Sequence, residues 1–441
     1  MRQAARTQDP LPRPMTGPSL IERLRRRPLV RDVATVAGGT AAAQLVTLAA
    51  APLLTRLYGP EVYGLQGVFA SLVGVLAVAA ALGFPLAIVL PAREAEARAL
   101  VRLSMALAVL AALVFALLLA VAGAPLLTLL GAGALLPLAG LLPLGVLATV
   151  ATAVFTQWLA RRGAWRFSAR WTLGSALLVN GGKAGLGFVQ PGALSLIGAQ
   201  LGGQLLALAA AAALWWRREP RPDAPALSMR EAASRHRDFA RYRTPQNLIN
   251  ALSQSLPLLL LSAGAGAAAA GQYAVAMAVL AVPVALIAGA MQQVFYPRVA
   301  EAVRRGEDVR ALLWRTTRAL ALASAFPFLL LVLAGPGLFA FVFGADWRDG
   351  GEYARWLAAW MWLQCVNVPA VAAVPSLGLQ RGLLVYEVMS TTAKAAALWV
   401  GLSILGDDVA AVALFAGAGV LAYLGLIGWV LRCAGRVGRS T

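Results

Sequence analysis

The chain contains two lysines, Lys183 and Lys394, and both fall deep inside long apolar runs. An ammonium group at depth in a bilayer costs at least ~2.5–3.5 kcal/mol. It must therefore pair, face water or shed its proton. All other cations are arginine, so these two positions are not drawn from a background of surface lysine. Lys394 follows Glu387 by two helical turns, ~10 Å of rise, which is long for direct pairing and suited to a common polar wall. Asn180 and Lys183 share a helix face at i and i+3. Such groups suit electrostatic reception of an anion in a hydrated cavity. The alternative is two structural lysines hydrogen-bonded to carbonyls opened by glycine packing, as around Gly181, Gly182 and Gly185. Arg56, at the end of the first apolar run, either holds a phosphate or snorkels its guanidinium to headgroups. The lone His236 reads as a solvated loop residue. No GK[ST] phosphate loop, HExxH or CxxC occurs, so no catalytic residue, metal site or cofactor is expected and the chain does not read as an enzyme. Cys365 and Cys433 give no disulfide framework.

The elements that carry these groups follow from composition. Of 441 residues, 60% are hydrophobic and 13% charged, about half the charge of a soluble domain. Charge-free runs such as 65–90 and 193–216 exceed the ~20 residues that span hydrocarbon. An all-α polytopic membrane protein is predicted, with about twelve transmembrane helices near 33–57, 65–90, 99–122, 135–157, 171–190, 193–216, 245–263, 271–296, 314–334, 355–377, 383–405 and 408–431. With the N-terminus cytoplasmic, every basic residue except Arg56, Arg348, Arg355 and the two lysines falls on the cytoplasmic side, the positive-inside pattern. Both termini are then cytoplasmic, and the net charge of +19 speaks for anionic headgroups rather than nucleic acid. The predicted organisation is a disordered basic arm (1–31), a six-helix bundle (32–216), a cytoplasmic linker (217–243), a second six-helix bundle (244–432) and a tail (433–441). The halves resemble each other weakly: Pro52 matches Pro257, Lys183 matches Lys394, and GPEVYG (59–64) lines up with GAAAAGQY (266–273). Two parallel repeats around a central cavity follow. Proline frees a carbonyl that lipid will not satisfy, and Pro52 and Pro257 are read as hinges.

The stretch LTRLYGPEVYGLQGVFASLVGVL (54–76), with SQSLPLLLLSAGAGAAAAGQYAVAMAVLAVPVALI (253–287), QVFYPRVAEAVRRG (293–306), FVFGADWRDGGEYARWLAAWMW (341–362) and PSLGLQR (375–381), resembles bacterial polysaccharide-biosynthesis membrane proteins, the Wzx-type oligosaccharide flippases. That family belongs to the multidrug/oligosaccharidyl-lipid/polysaccharide exporter superfamily. The resemblance implies two six-helix bundles forming a V around a central cavity. It also implies translocation of an undecaprenyl-diphosphate-linked repeat unit, for O-antigen, capsule or exopolysaccharide, from the cytoplasmic to the periplasmic leaflet of the bacterial inner membrane. Under it, Lys183, Lys394 and Arg56 would meet the diphosphate, and Asn180, Asn250, Gln254, Gln272, Gln292 and Glu387 would line the cavity. Coupling to H+ or Na+ is compatible with it, and a polymerase and a chain-length regulator are the implied partners beside membrane lipids. The nearest rival is a cation-coupled multidrug exporter of the same superfamily, which would want carboxylates in the first bundle, where none lies clear of the interface.

Overall fold

A backbone in hydrocarbon satisfies its polar groups only within itself, and the apolar runs accordingly fold as helices. The computed structural model describes residues 28–129, 131–217, 227–305, 307–377 and 379–437. Most of the predicted arm, part of the linker and the last four residues thus lie outside the described residues. The first half comprises α1 (Pro28–Leu57), α2 (Pro60–Ala81), α3 (Glu94–Leu129), α4 (Leu141–Arg161), α5 (Trp165–Val189) and α6 (Ala193–Trp216). The second half comprises α7 (Thr244–Arg304), α8 (Val309–Phe343), α9 (Arg348–Ala373), α10 (Gln380–Val400) and α11 (Asp408–Val437). Gly266, at φ 90° and ψ 174°, breaks α7 into arms α7a before it and α7b after it; glycine alone takes that conformation without strain.

Among the described residues ten helices are long and apolar enough to cross a membrane. One of them, Phe239–Ala285, contains the Gly266 break. Helix α5 falls outside the ten, with Arg166, Arg170 and Lys183 in its length. Dividing α7 and adding α5 restores the twelve predicted spans as two sets of six. Boundaries differ locally. The second span begins at Pro60, where proline at the first helical position is tolerated. It ends at Leu82 and Gly83, both at positive φ, rather than at 90. The third runs from Glu94 to Leu129 and kinks at Ala122, in the turn that Pro125 deprives of a donor. The linker is partly built: Ser228 caps the short helix Met229–Arg235, and Ala232 is buried in the core of the first bundle.

Two of the apolar cores belong to one half each. Phe84, Ile88, Leu100, Val150 and Trp158 form one toward the basic end of the first bundle. Val299, Leu313, Val366, Leu426 and Val430 form its counterpart in the second. A third core crosses between the halves at the opposite end, uniting Val68, Phe69 and Leu72 of α2 with Leu261, Tyr273, Phe339, Trp347 and Tyr353. The bundles are joined there, and the cores toward the basic end are separate. At the joint, a Cβ on Gly64 would lie 1.7 Å from the carbonyl oxygen of Ala267, and one on Gly271 would lie 1.8 Å from that of Pro60. The Thr55 hydroxyl donates to the Phe343 carbonyl (3.2 Å), and Trp347 Nε1 donates to the Thr55 carbonyl (3.0 Å). Tyr63 meets Trp347 edge-on at 5.3 Å between ring centroids.

This geometry makes Gly271 a lock on the joint. In a variant with alanine at both cysteines, Gly271→Leu is expected to expose the buried Thr55 position. A Thr55→Cys reporter should then react with a water-soluble maleimide about tenfold faster, following the opening free energy. Equal labelling rates with glycine and leucine at 271 would contradict it.

Candidate substrate cavity

Within the first half, Lys183 points from α5 toward α6 and α2. Its Nζ donates to Gln200 Oε1 at 2.9 Å, and the Gln66 amide donates to the same oxygen. The Lys183 carbonyl in turn accepts from Tyr58 Oη at 2.8 Å. One turn earlier, Asn180 is buried and spends its amide hydrogens on Thr47 Oγ1 (3.2 Å) and the Ala176 carbonyl (2.8 Å). Among the described residues neither lysine makes an ion pair with a carboxylate.

Lys394 lies in the second half, its Nζ 5.2 Å from the ring centre of Trp360 and 5.9 Å from that of Phe415, within cation–π range. It borders a cavity of about 560 Å³ whose polar lining is Gln364, Asn367, Tyr386, Glu387, Ser390, Thr391, Lys394 and Tyr423. Val284 from α7b, with Val368, Val371, Ala372, Leu383 and Leu426, supplies the apolar remainder. The volume falls within the ~300–1,000 Å³ usual for small-molecule sites. Glu387 and Lys394 do border one space. That space is bordered by α7b, α9, α10 and α11, and Lys183 is not among its lining residues. Each ammonium is held inside its own half, because each finds its polar or aromatic neighbours there.

The other predicted site residues divide similarly. Arg56 donates to the Phe341 carbonyl at 2.9 Å and so belongs to the inter-bundle joint. Gln272 is 5% exposed and commits both ends of its amide, to the Asp346 carbonyl (2.7 Å) and the Gly350 N–H (2.8 Å); it does not line a cavity. Asn180 is likewise sealed. Asn250 and Gln254 are exposed on α7a, the latter donating to the former at 3.2 Å. The side chain of Gln292 lies outside the described residues. Neither Pro52 nor Pro257 breaks its helix; the break in α7 comes at Gly266, where the positive φ absorbs the reversal. His236 is not free in a loop: it pairs with Glu96 at 3.1 Å. Glu96 also meets Arg235 at 3.5 Å, and this pins the linker helix to α3. Nearby, Glu94 bridges Arg98 (3.1 Å) and Arg162 (2.5 Å), fastening α3 to α4 at the basic end.

Sequence reasoning missed Gln66, Gln200, Asn367 and the glycine contact. Gln66 is the one amide in the run 65–90, and Gln200 shares the run 193–216 with Gln204; amides so few in apolar runs were the available signal. Asn367 is a polar side chain in a tryptophan-rich span, equally visible. The Gly64–Gly271 approach depends on the packing of two distant helices and leaves no local trace.

With this geometry in place, the sequence pattern of the family described as "Polysaccharide biosynthesis protein" matches residues 53–350. The chain belongs to that family. No match is found among curated proteins. Among solved structures the fold is that of the multidrug/oligosaccharidyl-lipid/polysaccharide superfamily. An inward-facing multidrug resistance MATE transporter superposes with a TM-score of 0.69 at 17% identity, over 90% of this chain and 96% of that one. The lipid II flippase MurJ in an inward closed conformation gives 0.68 at 11% identity, over 91% and 89%. An outward-facing MATE structure gives 0.57 at 15% identity, over 95% and 99%.

The Lys183–Gln200 contact carries a stability prediction. Gln200→Leu leaves the ammonium without its acceptor and is expected to cost about 1–3 kcal/mol. The paired Lys183→Met, Gln200→Leu variant recovers most of that loss. Thermal unfolding of the detergent-solubilised protein reads both, and a double variant less stable than Gln200→Leu alone would contradict the assignment.

Proposed function

We propose that the protein moves an undecaprenyl-diphosphate-linked oligosaccharide from the cytoplasmic to the periplasmic leaflet of the bacterial inner membrane, feeding O-antigen, capsule or exopolysaccharide assembly. The observation that carries this reading is the pair of ammonium groups within the spans, one in each bundle, neither held by a carboxylate in the described residues. A diphosphate is the kind of ligand that such cations favour. In this reading the basic end and both termini are cytoplasmic, which agrees with the placement of arginine. The bundles are open to that side, and the carrier's diphosphate engages Lys394 and Lys183 in turn as they rock about the far joint. Downstream partners are a polymerase and a chain-length regulator; H+ or Na+ gradients or consumption of the flipped product supply direction. No step asks this chain to make or break a covalent bond.

One observation favours the rival reading of a cation-coupled drug exporter: Glu387 borders the cavity. Lys394 on the same wall opposes a cationic drug, and the first bundle offers no carboxylate clear of its ends, so the anionic substrate is the better fit.

Lys183→Ala and Lys394→Ala are each expected to lower surface polysaccharide severalfold, with membrane levels of the protein unchanged, and the double variant to abolish it. Immunoblots of polymer and of protein from the same cells report both. Full polymer display by the double variant would remove the role given to these lysines.

A further inference from the structure

The cavity of the second bundle has a lining more specific than phosphate reception requires. Its depth follows from chain direction. Helix α10 enters at Gln380 on the basic side and α9 leaves on that side at Ala373, so Leu383 and Glu387 stand near the mouth and Lys394 lies ~10 Å further in. Between them stand two amides, Gln364 and Asn367, two aliphatic hydroxyls, Ser390 and Thr391, and the phenols Tyr386 and Tyr423. The decisive member is Asn367. It is 2% exposed, borders the cavity, and its Oδ1 is buried without a hydrogen-bond partner. An orphaned buried acceptor costs about 1–3 kcal/mol and needs a donor from whatever fills the space.

The chemistry narrows the occupant. An inorganic anion needs donors and would be repelled by Glu387. A hydrophobic cation suits the aromatic groups and Glu387 and would be repelled by Lys394. A polyhydroxylated ring presents O–H donors to Glu387 and Asn367 Oδ1. It presents oxygen acceptors to amide N–H, hydroxyl and ammonium groups, and C–H faces to tyrosine rings. We infer that this cavity is a sugar seat: it holds a glycosyl unit of the substrate and reads its hydroxyls in the stage of the cycle when the diphosphate is held at Lys183 in the other half. The inference rests on the flippase reading above and adds to it the place and chemistry of glycan recognition. It also separates two tasks. The Lys183 cluster of the first bundle joins the ammonium to Gln200 and Gln66, with Asn180, Thr47 and Tyr58 beside it, and among the described residues it holds no carboxylate.

The test uses full-length protein in lipid nanodiscs and two probes: undecaprenyl diphosphate without sugar, and the lipid-linked repeat unit that accumulates in polymerase-deficient cells of the same strain. Wild type is expected to bind the glycan-bearing probe at least about tenfold more tightly than the bare carrier, the worth of one or two good hydrogen bonds. Asn367→Leu should bring that ratio close to one. Thr391→Val, a milder change that preserves volume, should lower it severalfold, and it carries the test if Asn367→Leu does not fold. A wild-type ratio of one, with both probes bound, overturns the sugar seat and leaves the flippase reading standing. A high ratio retained by both folded variants overturns it as well. Failure of wild type to bind either probe overturns the flippase reading itself, and the seat with it.

Discussion

The two halves meet backbone to backbone where Gly64 of α2 faces the turn at Ala267 and Gly271 of α7b faces Pro60. Lipid tails are as apolar as leucine, so helix association in a membrane draws on close packing and on hydrogen bonds between helices rather than on the hydrophobic effect. A Cβ at either glycine would lie 1.7 to 1.8 Å from a backbone oxygen, far inside contact distance, and would force the helices apart. The rest of the arrangement depends on this contact. It closes one end of the molecule and lets Thr55, Arg56, Tyr63 and Trp347 form their contacts. Two separate cores lie toward the opposite end, one in each half. The cavity beside Lys394 lies on the open side of the joint because α9 and α10 connect at the basic end.

Twelve spans, their order and the division six against six were legible in the sequence, since lipid forces one polar-free run per span. The turn at Gly266 was legible too, by its alignment with the start of α2. What was not legible came from helix rotation. Lys183 and Lys394 occupy matching positions in the repeat, but a repeat fixes depth, not which neighbour a side chain finds. Lys183 met Gln200 and Gln66 across α6 and α2, whereas Lys394 met the rings of Trp360 and Phe415. Gln272 illustrates the same limit. An amide inside a span reads equally as a cavity contact or as a clamp for loop backbone, and here it clamps Asp346 and Gly350. His236 was misread because its partner, Glu96, lies 140 residues away along the chain.

The environments of the two lysines differ in a way that bears on transport. Lys183 has a neutral amide oxygen as its acceptor, a contact that an anionic oxygen outcompetes, since charge-assisted bonds are about twice as strong as neutral ones. Lys394 has aromatic faces, which stabilise a cation without saturating its three donors. In the proposed flippase reading, both are therefore held in place while remaining able to receive a phosphate oxygen. A carboxylate partner at either position would fix the lysine more firmly and compete with that phosphate. A transporter must also release its cargo, and a cation held by weak neutral partners meets both demands better than a bare one, whose desolvation would make any anion bind too tightly to leave.

The joint that closes the far end is built to come apart. Beside the bond from the Ser262 hydroxyl to the Gly131 carbonyl, three inter-bundle hydrogen bonds at Thr55, Arg56 and Trp347 are accepted by the carbonyls of Phe343, Phe341 and Thr55. All three carbonyls lie in the last turn of their helices, α8 and α1, where a carbonyl has no intrahelical partner. These ends lie at the rim of the spans, where water replaces a lost donor. Breaking each bond there costs only the net ~0.5–1.5 kcal/mol of an ordinary hydrogen bond, not the several kcal/mol of an orphaned group in hydrocarbon. At the basic end the linkage is different in kind: Glu94 and Glu96 tie α3 to α4 and to the linker helix within the first half, stiffening that bundle without fastening it to the other. In the proposed reading, ion pairs within the first half and replaceable contacts between the halves are the division of forces that two bundles need in order to rock about a central substrate.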